Sequence, residues 1–165
     1  GHHVTRSAYG GSCYLNNAAI AAAALAGAGP VAVLDLDAHH GNGTQSLFYD
    51  WADVFYGSVH VDPGAGWFPH VVGFADETGR GDGSGTTLNR PLPPGTGDDA
   101  WLAAVREIRT AVDDFAPDAV VSSGAVKLNS VRPPARRPNS TPLRILPHWS
   151  EPPSCSRQPC VSAST

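Results

Sequence analysis

The sequence contains no methionine, not even at its first position, and opens on Gly1-His2-His3. The expectation is that a natural N-terminal portion precedes Gly1. No apolar run approaches the roughly 20 residues that a membrane-spanning helix needs, so no membrane partner is expected. Cysteine is scarce as well, with Cys13, Cys155 and Cys160 only. An odd count without a signal peptide speaks against a disulfide framework and for a reducing, cytoplasmic setting. No internal repeat organises the chain.

Positive charge is almost missing from the first three quarters of the chain. Residues 1–126 hold five arginines against fourteen Asp and Glu, a net of −9. Residues 127–165 hold six Lys and Arg against Glu151 alone, a net of +5, together with eight of the fifteen prolines. Prolines at 133, 134, 138, 142, 147, 152, 153 and 159 cannot sustain a helix or a central strand. Residues 126–165 therefore read as a Pro-rich basic tail, disordered or frameshifted. Its charges are diluted among Pro and Ser, so no nucleic-acid arm is expected. A chain of 165 residues suffices for one modest domain.

Within residues 1–125 helical and extended patterns alternate. Leu15 to Ala26 is almost pure helix former, with Asn16 or Asn17 placed to cap it and Gly27, Gly29 and Pro30 to end it. Val31 to Leu34 follows as the kind of apolar run that a parallel strand covered on both faces shows. Gln45 to Tyr49 predicts a short helix and Val54 to Val61 the next strand. Residues 64–89, rich in Gly with scattered Trp67, Phe68 and Phe74, read as a functional loop region. Trp101, Val105, Ile108, Val112 and Phe115 mark one apolar helix face that Asp98 or Asp99 would cap, and residues 118–123 read as a last strand. The expected fold class is α/β, a mostly parallel central sheet with helices on both faces.

The chemistry gathers where the first strand ends. Asp35, Asp37 and His39 follow at spacing two, and His40, Gly41 and Asn42 come next. If the chain stays extended, the three side chains point the same way. A carboxylate and an imidazole at such a strand end suit a divalent cation such as zinc, given one further ligand from elsewhere. The plain alternative is that Asp35 and Asp37 are loop carboxylates serving caps and turns. His2-His3 forms a second adjacent pair, fit for proton transfer or left over from an affinity tag.

Taken in order, Gly1-His2-His3, Gly10 to Asn17, Asp35 to Gly43, Ser58-Val-His60, Gly73-Phe-Ala-Asp-Glu77 and Leu92 to Gly97 resemble the zinc-dependent histone deacetylase superfamily, and within it the acetylpolyamine amidohydrolase branch. The resemblance covers residues 1–125, as a partial catalytic domain, and implies an incomplete arginase/deacetylase-like three-layer sandwich. By position it makes Asp37 and His39 two of three ligands of one catalytic zinc, and His2 and His3 the tandem histidines of acid/base and electrostatic catalysis. It makes Asp35 the partner of the first histidine and, with Ser58, a ligand of a structural K+ or Na+. Asn42 orients the second histidine, and Phe68 is one wall of the substrate tunnel; Ser12 stands where the other wall is normally aromatic. Gly41 stands where the ureohydrolases carry a further aspartate for a second metal. The implied partner is an acetylated amine, a polyamine or lysine side chain.

Two departures bear on activity. Val126 stands where the family's third zinc ligand belongs, and no Gly-Gly-Tyr segment supplies the oxyanion tyrosine. The expectation is a deacetylase by family whose present chain is inactive alone. A non-catalytic protein that keeps the ligand slot is the alternative. Which acetylated amine is bound, and the oligomeric state, are not written in these residues.

Overall fold

A computed structural model describes residues 1–124, and the tail assignment for 126–165, the boundary at 125 and Val126 lie outside the described residues. Four strands form one fully parallel sheet in the order β3-β2-β1-β4. They are β1 (Val31–Asp35), β2 (Val54–Val61), β3 (Thr87–Leu92) and β4 (Ala119–Ser123). Among the described residues they are joined by the α-helices α1 (Asn17–Ala26), α2 (Asn42–Phe48) and α3 (Asp98–Phe115) and by two short 3-10 turns, Pro63–Ala65 and Gly81–Gly83.

The period of two along each strand builds two cores, one on each face. Val31 and Val33 of β1 and Val54 and Tyr56 of β2 pack beneath Ala19 and Ala22 of α1 and Phe48 of α2. The intervening Ala32, Phe55 and Val59 point the other way, against Ala104, Ile108 and Val112 of α3. A three-layer α/β sandwich with helices on both faces is thus the fold, as the sequence pattern implies.

Local chemistry explains most element ends. Asn16 caps α1 by accepting a 3.0 Å hydrogen bond from the Ala19 N–H, and its amide donates to Thr44 and to the Val4 carbonyl. Buried Asn16 therefore ties α1, α2 and the N-terminal segment at one point. The α3 cap differs from expectation. Gly97 takes that position, with extended backbone and no side-chain bond, and Asp98 and Asp99 lie in the first turn, where their charge faces the positive helix end. Helix α2 begins three residues before the expected Gln45, because Asn42 and Gly43 are weak helix formers that hide its first turn.

Strand β3 is the element that the sequence pattern concealed. It begins inside the expected loop region, at Thr87, runs past its end at 89 and carries Pro91, tolerable because β3 is an edge strand. No helix among the described residues is long and apolar enough to cross a membrane.

Candidate active site

All four strands run in one direction, so their C-terminal ends share one edge of the sheet, where parallel folds gather ligand-binding groups. The pairing register lines up a polar row across that edge. Asn89 stands opposite Ser58, Ser58 opposite Asp35, and Asp35 opposite Ser123. Asp35 is fully buried. Its carboxylate accepts from the His2 Nδ1 at 2.7 Å, from the Tyr56 hydroxyl at 3.3 Å and from the Asp37 N–H at 3.3 Å.

The chain does not stay extended to His39, as the spacing suggested. Strand β1 ends at Asp35, and Asp37 then folds back in a side-chain turn, accepting the His39 N–H at 2.9 Å on Oδ1. The same oxygen lies 3.3 Å from His39 Nδ1. Carboxylate and imidazole nitrogen therefore converge on one point. Burial works against ionisation of Asp37, but the His39 N–H and the nearby His2 and His39 rings outweigh it and hold the carboxyl below its ordinary value.

His2 and His3 pack with ring centroids 4.0 Å apart. His3 Nδ1 lies 2.8 Å from Asn42 Oδ1. An amide oxygen only accepts, so Nδ1 carries the ring proton and Nε2 keeps a free lone pair. Burial is the main cause that holds His3 below its ordinary pKa; the Asn42 bond offsets it only in part. The imidazole is thus neutral at pH 7, with its basic nitrogen available.

These groups share one cleft of ≈ 580 Å³, lined by His2, His3, Ser12, Asp37, His39 and Phe68 among others. Phe68 stands edge-on to His3 at 4.8 Å and is 41% exposed. Ser12 opens the other side, on backbone held at φ 61°. Among the described residues no three His, Cys, Asp or Glu side chains converge to hold a metal ion.

The histone deacetylase domain family matches residues 1–126, three quarters of the chain. The chain belongs to the histone deacetylase family. Among its curated relatives, the acetylpolyamine amidohydrolase of Mycoplana ramosa is 47% identical over 125 residues, covering 74% of this chain and 36% of that protein. The crystal structure of an acetylpolyamine aminohydrolase from Burkholderia pseudomallei superposes with a TM-score of 0.72 at 49% identity, over 74% of this chain and 36% of that one. A histone deacetylase homologue from Aquifex aeolicus gives 0.68 at 39% identity, over 73% and 33%. The chain thus spans about a third of the length of the histone deacetylase relatives it matches.

Several residues around this cleft make contacts that the sequence alone did not assign. Trp67 lies with its ring 5.7 Å from that of His39. Tyr56 is buried under Asp35, and both burial and the carboxylate raise its pKa well above the ordinary value. Behind the polar row lies a second buried cluster. His40 Nε2 donates to Gln45 Oε1 at 2.9 Å, Asn89 donates to the same oxygen at 2.8 Å, and Gln45 in turn donates to Glu77. His40 Nδ1 and Asn89 Oδ1 have no partner among the described residues. Burial, reinforced by the neighbouring His60, pushes His40 down to about 3, and burial likewise lowers His60. The one signal in sequence was polar Ser58 and His60 alternating within an otherwise apolar strand.

Proposed function

We propose that this segment supplies the general base and two metal ligands of a deacetylase site that hydrolyses the amide of an acetylated amine. The single observation that carries this reading is the fixed tautomer of His3, whose free Nε2 shares a cleft with Asp37 and His39. Asp37 Oδ1 and His39 Nδ1 suit zinc as two of four donors. A zinc ion there would polarise the acetyl carbonyl and acidify a water.

The remaining work falls to the chain's own side chains. His3 Nε2 takes a proton from the attacking water and returns it to the departing amine. His2, held by the carboxylate of Asp35 at 2.7 Å, serves as the electrostatic partner beside His3. Asn42 keeps the His3 proton on Nδ1 throughout. Phe68 forms one wall for the alkyl chain of the substrate, and Ser12 leaves the other side wider and less apolar than an aromatic would. Asp35 and Ser58, oxygen donors in register, hold a structural K+ or Na+. The odd cysteine count favours a cytoplasmic setting.

With Val126 at the third ligand's place and no oxyanion tyrosine in the sequence, this chain alone turns over little substrate. Losing one oxyanion donor typically costs about 10²–10³ in rate. The test is hydrolysis of an acetyl-lysine amide by the purified chain supplied with zinc, with and without chelator. A parallel assay uses a chimera in which residues 1–124 replace the matching segment of the otherwise whole Burkholderia enzyme. The expected result is no chelator-sensitive turnover in the chain and recovery in the chimera. Chelator-sensitive turnover by the chain alone overturns the inactivity. A folded, zinc-loaded chimera without turnover overturns the deacetylase reading.

A further inference from the structure

Ser58 is fully buried between Asp35 and Asn89. A hydroxyl there carries one proton and two lone pairs, and the direction of that proton decides what the oxygen offers to the Asp35 side. If the proton points toward Asp35, the hydroxyl repels a cation. If it points away, carboxylate and hydroxyl oxygens both face the ion with lone pairs.

His60, two residues further along the same strand face, settles the direction. Its Nε2 lies 2.8 Å from the Gly73 carbonyl oxygen. A carbonyl only accepts, so Nε2 carries the ring proton. The ring is buried, which favours its neutral form, so Nδ1 is bare. That bare nitrogen lies 2.8 Å from Ser58 Oγ, so the Ser58 hydroxyl donates its proton to His60. We propose that His60 is the positioning residue of a monovalent-cation site, turning the Ser58 proton away from Asp35 so that both oxygens present lone pairs to one ion. The inference rests on the cation reading of Asp35 and Ser58 given above.

The chain of control starts in a distant loop. Gly73 must approach the rings closely, since a Cβ there would lie 2.7 Å from His40 Cγ and 2.8 Å from His60 Nε2, on backbone at φ +98°. The Gly73 N–H is held by both carboxylate oxygens of Glu77, at 3.0 and 3.1 Å. The 73–77 turn thus fixes a carbonyl, the carbonyl fixes a tautomer, and the tautomer fixes a hydroxyl.

Two measurements on the 165-residue protein test this. Nitrogen NMR of histidine-labelled protein reads the His60 tautomer directly; protonated Nε2 is expected, and protonated Nδ1 overturns the proposal. Thermal unfolding is then followed in KCl against choline chloride at equal ionic strength. The wild-type midpoint should rise with KCl, and Ser58→Ala should abolish the rise. His60→Asn, whose side-chain oxygen can stand in for Nδ1, should keep it. His60→Gln, which can reach Gly73 but leaves Ser58 without its acceptor, should need at least about tenfold more KCl for the same rise. A wild type indifferent to KCl removes the cation reading itself, and the inference with it. A responsive wild type with an equally responsive His60→Gln overturns the role of His60 alone. Should His60→Gln not fold, the tautomer measurement decides.

Discussion

Replacing Gly41 by alanine tests the packing of the site at its tightest point. Gly41 is buried, and its backbone (φ −81°, ψ 63°) is open to any residue, so conformational strain is not the issue. The issue is space: an added Cβ would lie 2.1 Å from Asp35 Oδ2, 2.7 Å from the Tyr56 hydroxyl and 3.0 Å from His2 Nδ1. Ordinary contact begins near 3.4 Å, so the carboxylate oxygen must retreat by roughly 1.3 Å. Asp35 Oδ2 is bonded to His2 at 2.7 Å, and such a retreat lengthens and weakens that hydrogen bond. Overpacking a core costs about 1–3 kcal/mol, and weakening a buried hydrogen bond about 1–3 kcal/mol. The two overlap, because the same movement relieves the first and causes the second. The expected loss is about 2–3 kcal/mol. Urea unfolding of wild type and Gly41→Ala, with unchanged slope, measures it. The clash with Tyr56 adds an internal check: Gly41→Ala combined with Tyr56→Phe should be less destabilised than the separate effects predict. A Gly41→Ala protein within about 0.5 kcal/mol of wild type would refute the reasoning, since Asp35 would then have room that this packing denies it.

Further predictions concern the buried rings and the helix layer. His40 binds its proton far more weakly folded, at about 3, than at its ordinary 6.5, so the unfolded chain takes up protons first as pH falls. Its contribution is whole above pH 6.5 and lost progressively toward pH 3, about 2 kcal/mol by pH 5. His40→Gln should therefore lose stability less steeply than wild type over that range in pH-dependent urea melts; parallel profiles would count against it. Asn42→Asp sets a carboxylate in place of an amide oxygen 2.8 Å from His3 and should raise the His3 pKa by about 1–3 units in an NMR titration, whereas an unchanged value would mean that Asn42 does not set the state of His3. Ile108→Ala, in the core beneath α3, should cost about 2–5 kcal/mol in the same unfolding assay, with a smaller loss showing that α3 is not a necessary layer.

The α/β alternation was legible because each pattern had one reading. A buried parallel strand leaves an unbroken apolar run, as Val54 to Tyr56 does, and an amphipathic helix leaves a stripe, as Trp101 to Phe115 does. β3 was not legible, since an edge strand with Pro91 and polar Asn89 and Arg90 has neither signature. Asp35, Asp37 and His39 stood out because three ligand-type residues crowd five positions. The network of His40, Gln45, Asn89 and Glu77 did not, because its hydrogen-bonded partners lie up to 44 positions apart and become neighbours only in the folded chain. Distances in sequence hide what a register creates.

That register gives the polar row across β3, β2, β1 and β4 a part in folding as well as in chemistry. A strand that slips by one residue exchanges its two faces. If β2 slipped against β1, Asp35 would face Gly57 or Val59 in place of Ser58, a buried carboxylate against a bare or apolar neighbour. The apolar runs alone would tolerate such an error, because valine packs on either side of the sheet. Asp35 does not tolerate it, and so the residue at the heart of the site also serves as the key that admits only one alignment of the strands.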